Sequence, residues 1–204
     1  MRRWRFLSLF PCLLAAACGL ADSERDEKNR YEYFTFFDKT FEAFCLEHFD
    51  SDGNGRISRY EAQRVREISC SGAGIVSLAD LREFSNLERL DCSGNDLTEL
   101  DLSVCSRLMR VDCHDNDLAS LELEDLRSLV WLDCSGNALG LLDLTSNTSL
   151  STLDARSNRL LSLDVSTCSS ALQADVRENP ELATVYCAAS QGIRFDGITS
   201  LVIR

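Results

Sequence analysis

The stretch LERLDCSGNDL, residues 87–97, decides how the rest of the chain is read. It returns as LMRVDCHDNDL at 108–118 and as LVWLDCSGNAL at 129–139. Aligned on Leu90, Val111, Leu132, Leu153 and Ala174, each copy lies 21 residues after the one before. Asn95, Asn116, Asn137, Asn158 and Asn179 follow in the same register. One coil this short cannot bury its own apolar face, so successive coils must stack and share a core.

Each column then has a physical role. Side chains alternate along an extended strand, so Leu90 and Cys92 point inward and Asp91 points outward. The asparagine stands where the chain leaves the strand, and its side chain is expected to satisfy backbone groups at a buried corner. LTELDLSVC, LASLELEDL, LGLLDLTSN and LLSLDVSTC, which begin at residues 97, 118, 139 and 160, carry a second Leu-x-x-Leu-x-Leu spacing. They predict a second extended segment on the opposite side of each coil rather than a full helix. ISCSGAGI (68–75) reads as an irregular first coil and NPELATVYC (179–187) as a shortened last copy. The tail GIRFDGITSLVIR (192–204) reads as a β-hairpin turned at Asp196-Gly197 that caps the open edge.

The chain holds ten cysteines. Cys70, Cys92, Cys113, Cys134 and Cys187 are assigned to the inward slot as small buried hydrophobes. Parallel neighbours ~4.8 Å apart keep their Cβ atoms about that far apart, beyond the ~3.8 Å usual for a bridge, so the ladder is predicted to stay reduced. Cys105 and Cys168 are three coils apart and cannot meet. A Cys45–Cys70 bridge between cap and first coil is left open by the sequence. No pair has metal-ligand spacing.

Ahead of the repeats, Phe34, Phe37, Phe41 and Phe44 recur at spacings of three and four, which predicts a helix from Tyr31 with one aromatic, core-facing side. It leads into DSDGNGRISRYE, residues 50–61. Asp50, Asp52 and Asn54 take positions 1, 3 and 5 of a calcium loop, with Gly55 at the sharp turn. Arg56 offers its carbonyl, Ser58 acts through water and Glu61 is the bidentate ligand at position 12. Ca2+ prefers six to eight hard oxygens, which this spacing wraps around one ion. Ile57 is the apolar anchor. EAQRVREI (61–68) reads as a continuing helix.

Arg2, Arg3 and Arg5 precede an apolar run, Phe6 to Ala17, too short to span a bilayer and suited to a signal peptide. The run ends LLAAAC, which resembles a bacterial lipobox with Cys18 as the lipidated residue, although Ala15 stands where such motifs prefer Leu. Cleavage after Ala21, giving a secreted or periplasmic protein, is the alternative. With 21 Lys+Arg against 33 Asp+Glu the chain is strongly acidic, and loss of residues 1–17 takes it to 18 − 33 = −15. That argues against nucleic acid or an anionic lipid surface as partner. The expected organisation is a signal peptide (1–17), a charged tether (18–30), a helical cap (31–67) and a repeat solenoid with a C-terminal cap (68–204).

The copies carry the L-x-x-L-x-L-x-x-N-x-L signature of leucine-rich repeats, with cysteine in the third apolar slot. The expected fold is a leucine-rich-repeat solenoid: a parallel β-sheet of 21-residue coils with little helix, behind an N-terminal α-helical EF-hand-like cap. FSNLERLDCSGN (84–95) and NPELATVYC, following a calcium-type loop, make the chain resemble the leucine-rich-repeat lipoproteins of gut Bacteroidetes. The resemblance implies an extracytoplasmic, outer-membrane or cell-surface binding module without established chemistry. A solenoid exposes core at its first coil, and calcium holding the helices over Cys70 and Ile75 would act as a structural staple.

Three columns are expected on the strand face. One holds Arg89, Arg110, Trp131, Thr152 and Gln173. The next holds Asp91, Asp112, Asp133, Asp154 and Asp175, and the third Ser93, His114, Ser135, Arg156 and Arg177. Trp131, with Arg89, Arg110, Asp112, His114 and Asp133 around it, is the candidate surface for a protein ligand, with a glycan as the alternative. Like charges ~4.8 Å apart repel by ~1 kcal/mol per neighbour at water's dielectric. Asp101, Glu122, Asp143 and Asp164 repeat the acids on the opposite side, so the aspartate column is assigned to solubility and protection from sideways association. His48 and His114 are the two histidines. A flat repeating face offers His114, Asp112 and a serine no oxyanion site, so no enzymatic role is expected.

Overall fold

The computed structural model describes residues 31–196 and 199–204. The stretches read as signal peptide and tether, with Cys18, lie outside the described residues. Two short α-helices, α1 (Lys39–Phe49) and α2 (Arg59–Ala62), precede the strands, with one 3-10 turn at Ala79–Glu83. The strands are β1 (Glu67–Ser69), β2 (Arg89–Asp91), β3 (Glu99–Asp101), β4 (Arg110–Asp112), β5 (Ser120–Glu122), β6 (Trp131–Asp133), β7 (Thr152–Asp154), β8 (Ser162–Asp164), β9 (Gln173–Asp175), β10 (Thr184–Cys187), β11 (Gly192–Arg194) and β12 (Ser200–Ile203).

β1, β2, β4, β6, β7, β9 and β11 form one parallel sheet in that order. Its register pairs Leu90 with Val111, Val111 with Leu132, Leu132 with Leu153 and Leu153 with Ala174, which is the 21-residue period of the sequence. The opposite side carries the expected extended segments, β3 beside β5 and β8–β10–β12, again parallel. Between the two sides runs a single apolar core from Phe36 to Cys187. Each fully buried leucine contributes roughly 1.5–3 kcal/mol relative to an exposed one, which is what couples one coil to the next.

The asparagines hold the corners. Asn116 Nδ2 donates to the carbonyls of Cys92 and Cys113, both at 3.1 Å, and its Oδ1 accepts the N–H of Leu97 at 3.1 Å. Asn137 and Asn179 repeat the pattern one and three coils on. Each side chain bridges two coils, so the ladder replaces water at a buried bend.

Cys70, Cys92, Cys113 and Cys134 follow their strands as a buried ladder, and the eight described cysteines are free thiols. The Cys113 and Cys134 thiols lie 3.4 and 3.5 Å from the carbonyls of Asp133 and Asp154 in the next coil. Cys187 does not belong to this column. It lies at the end of β10 on the opposite side, in register after Val165. The ladder positions after Cys134 are taken by Ala155 and Val176.

Three local expectations are corrected. The chain from Tyr31 to Phe37 is not helical; α1 starts at Lys39 because the Asp38 side chain caps it, accepting the N–H groups of Thr40 and Phe41. Phe36 rather than Phe37 is therefore buried, and Phe37 is exposed. The helix after the loop stops at Ala62, because Glu67, Ile68 and Ser69 are drawn into the sheet as β1 beside β2. The tail is not a hairpin: β11 joins β9 and β12 joins β10, both parallel and on opposite sides, so the tail winds another, shorter coil.

Candidate functional site

The strand face is built by short strands whose outward residues fall into register. Arg89 reaches back to Glu67 in β1 at 2.8 Å. The Arg110 guanidinium lies over the Trp131 ring, 3.4 Å from its centroid, and Trp131 is half-buried. A cation over an indole is worth about 0.5–2 kcal/mol, so the two side chains form one rigid platform. Beside it, His114 Nδ1 and Asp112 Oδ1 are 2.6 Å apart, and Asp133 stands next to Asp112 in the register. The hydrogen bond to Asp112 pushes the His114 imidazole above its ordinary value, against a smaller opposing effect of burial.

The aspartates have a duty that the charge pattern did not reveal. Asp91 accepts both the N–H and the hydroxyl of Ser93, and Asp133 does the same for Ser135. Asp154 and Asp175 accept the N–H and guanidinium of Arg156 and Arg177. On the opposite side Asp101, Asp143 and Asp164 hold Ser103, Thr145 and Ser166 in the same way. These carboxylates thus tie down the bends that follow them, whereas Asp112 and Glu122 bond only the side chains of His114 and Ser120. The signal was present as a recurring Asp-x-Ser/Thr spacing.

In the loop at 50–61, Gly53 and Gly55 adopt φ values of 70° and 75°, the left-handed region where glycine carries no penalty. The Asp50 carboxylate accepts N–H groups from Gly53, Asn54 and Gly55 at 2.8–3.1 Å, which folds the loop around it. One oxygen each of Asp50, Asp52 and Glu61 lies within 4.8 Å of the others. Glu61 is buried and accepts the N–H and hydroxyl of Ser51 on one oxygen and of Ser58 on the other. These donors outweigh burial and hold its carboxyl below the usual range. Two of the four are hydroxyls that can rotate away, while the backbone pair keeps the carboxylate in place. The donor set therefore fits a hard cation.

Ser58 is the N-cap of α2 in a reciprocal box with Glu61. Asn54 Nδ2 donates to the Tyr33 hydroxyl at 3.3 Å, and the Arg56 guanidinium stacks on the Tyr33 ring. Tyr33 forms an antiparallel bridge with Ser58, and Arg59 N–H donates to Glu32. The segment before α1 thus occupies the edge of the loop.

Residues 86–108 match the family described as Leucine Rich Repeat. The chain has a leucine-rich-repeat fold. Among solved structures its fold is similar to the functional domain of InlJ from Listeria monocytogenes, described as including a cysteine ladder, at 26% identity and a TM-score of 0.67. The likeness covers 78% of this chain and 37% of that one. Two further internalins of Listeria monocytogenes share the fold at 15% identity: inlF, with a TM-score of 0.56 over 80% of this chain and 52% of that one, and inlC2, with 0.51 over 82% and 94%. The chain thus spans about a third of the InlJ chain and half of the inlF chain. No curated protein sequence matches it.

In this leucine-rich-repeat frame the six face residues singled out from sequence fall on β2, β4, β6 and the bends that follow, one continuous patch. The six loop residues run from the end of α1 into α2, and Asp50, Asp52 and Glu61 among them come together. What sequence reasoning missed is the latch between cap and repeats. Asp38 Oδ2 accepts Val76 and Ser77, and Asp80 Oδ2 accepts Phe37.

Proposed function

We propose that the chain is an exported, non-catalytic interaction module that binds a protein partner on the strand face around Trp131. The Arg110–Trp131 stack carries this reading. A rigid aromatic–guanidinium platform, flanked by Arg89, Asp112, His114 and Asp133, has the composition of an interface hot spot. The likeness to the InlJ functional domain supports a binding role and export. Lipid anchoring at Cys18 rests on the lipobox pattern alone. A glycan ligand is less well served, because Arg110 already covers one face of the lone tryptophan. The His114 group has no serine to activate: the Ser93 and Ser135 hydroxyls are committed to Asp91 and Asp133 rather than to His114.

Calcium belongs to the cap in this reading. Asp50, Asp52 and Glu61 would hold it through carboxylates, with Asn54 and the Arg56 carbonyl completing the oxygens; Ser58 serves the helix cap. Bound there, the ion would neutralise the clustered carboxylates. The chain's own residues then fix the Tyr33–Ser58 bridge and the approach of α1 to the first coil.

The test is capture from extracellular and outer-membrane protein fractions, followed by binding measurements on each captured protein. Trp131→Ala should weaken a genuine partner at least about tenfold, consistent with a hot-spot loss near 2 kcal/mol, while Leu161→Ala on the opposite side should leave it intact. Equal binding by both variants removes the strand face from the account. A glycan array run with the same variants decides the alternative.

A further inference from the structure

We propose that Asp112, His114 and Asp133 form a binding site for a divalent transition metal on the strand face, distinct from the calcium loop. Their ligand atoms, one imidazole nitrogen and two carboxylate oxygens, lie within 4.8 Å of one another. The site stands in addition to the interaction reading and does not depend on it.

The repeat shows why only this point of the aspartate column qualifies. In β7 and β9 both oxygens of Asp154 and of Asp175 are taken by the guanidinium groups of Arg156 and Arg177. In β6, Asp133 uses Oδ1 for the N–H and hydroxyl of Ser135, at 3.0 and 2.6 Å, which leaves Oδ2 for a ligand. In β4, Asp112 faces an imidazole where its neighbours face serine or arginine. The strand register then places the two carboxylates side by side.

A third carboxylate flanks the histidine. Its Nε2 lies 3.9 Å from the Asp115 carboxylate while Nδ1 faces Asp112. Asp115 holds a left-handed backbone, φ 52°. Its carboxylate lies over Gly136 in the next coil, where any Cβ would collide with it. The Nε2–Asp115 distance is that of an ion pair and not of a hydrogen bond. Closing it as the ring turns to a metal would supply the carboxylate that commonly fixes a metal-binding histidine.

The donor chemistry selects the ion. Ca2+ and Mg2+ take oxygen ligands, and Ca2+ wants six or more. One imidazole with two carboxylates suits Zn2+, Cu2+, Ni2+ or Co2+. Three protein donors leave a tetrahedral ion one position for water or for a donor from whatever docks on the face. The Arg110–Trp131 platform lies on the same strands, so a docked partner would reach both.

Titrating Zn2+ into the chelator-stripped chain by calorimetry tests the site, with circular dichroism confirming that each variant is folded. The unaltered chain should take up one equivalent that His114→Ala and Asp133→Asn each weaken at least about tenfold. Asp115→Asn should weaken it about tenfold and change the visible spectrum of bound Co2+, as expected for a positioning residue. Glu61→Gln should leave Zn2+ uptake unchanged while altering the response to Ca2+. Failure of the unaltered chain to bind Zn2+, or equal uptake by His114→Ala, overturns the proposal. So does loss of the equivalent in Glu61→Gln alone.

Discussion

The Asp38 carboxylate, which caps the first turn of α1, also accepts the N–H of Val76 at 2.8 Å, thirty-eight residues further along the chain. A single buried side chain thus serves a helix end and the first coil at once, taking Thr40 and Phe41 on one oxygen and Val76 and Ser77 on the other. Asp38→Ala would orphan four backbone donors. With a cap worth about 1 kcal/mol and a buried unpaired group costing about 1–3 kcal/mol, a loss of about 3 kcal/mol is expected in denaturant titrations.

The same contact sets a pH dependence. Burial acts to raise the Asp38 carboxyl, but its four backbone donors prevail and hold it below the ordinary value. A depressed carboxyl contributes stability that is present above its unfolded pKa, about 3.9, and lost as the pH falls through the lower folded value. Asp80 runs the other way: burial raises it, against the N–H of Phe37, so its protonation favours the fold. Stability should therefore fall below about pH 4, and Asp38→Asn should flatten that fall. Melting curves from pH 2 to 6 measure it, and an unaltered slope in the variant would disprove the assignment.

Calcium should act on the same cap. At a hundredfold excess over its dissociation constant a ligand adds about 2.7 kcal/mol, which at about 2–4 °C per kcal/mol is a rise in Tm of roughly 5–10 °C. Chelation should remove it, and Glu61→Gln should abolish the response to calcium. An identical Tm with and without calcium would take the ion out of the account.

The repeats were legible because every coil restates the same constraint. Leu90, Val111, Leu132 and Leu153 must point inward, and Asn95 through Asn179 must close the same bend, so five copies vote on one answer. The cap has no such redundancy. Phe34, Phe37, Phe41 and Phe44 have helical spacing, yet the Asp38 cap and its bond to Val76 start the helix later, and no local pattern encodes a partner thirty-eight residues away. EAQRVREI has helical composition, but pairing with β2 claims its last residues. The Asp196-Gly197 dipeptide suggests a hairpin only until the coils shorten: Ala174 pairs with Ile193, nineteen residues on, and the strands stay parallel. At the strand face, the columns gave the neighbours correctly, whereas the Arg110–Trp131 stack and the bonds that commit most aspartates depend on rotamers.

The thiols offer a test of the shared interior. Burial pushes Cys70 up to about 12 and Cys105 and Cys168 up to about 11, and it drives Cys92 and Cys113 well above the ordinary value. Thiolate is the reacting form, so none of the eight described cysteines should be alkylated by iodoacetamide in the folded chain at pH 8. All should react in denaturant, with peptide mass spectrometry scoring each site. Rapid native labelling at Cys92 or Cys113 would mean that the ladder is not enclosed.

Trp131 and Leu132 are adjacent in β6 and point to opposite sides of the sheet, which makes them a matched pair of probes. Leu132 is fully buried and lies between Val111 and Leu153 in the register. Leu132→Ala removes its transfer energy and leaves a cavity that the neighbouring coils, fixed by their own ladders, cannot collapse to fill. A loss of about 3–4 kcal/mol is expected. Trp131→Ala removes a ring that is half exposed and frees Arg110 to water, so its stability cost should stay near 1 kcal/mol. For binding the order reverses: Trp131→Ala should weaken the partner, while any Leu132→Ala protein that remains folded should bind normally. If Trp131→Ala destabilises as much as Leu132→Ala, the tryptophan is core rather than interface. The partner-binding assignment would then lose its physical basis.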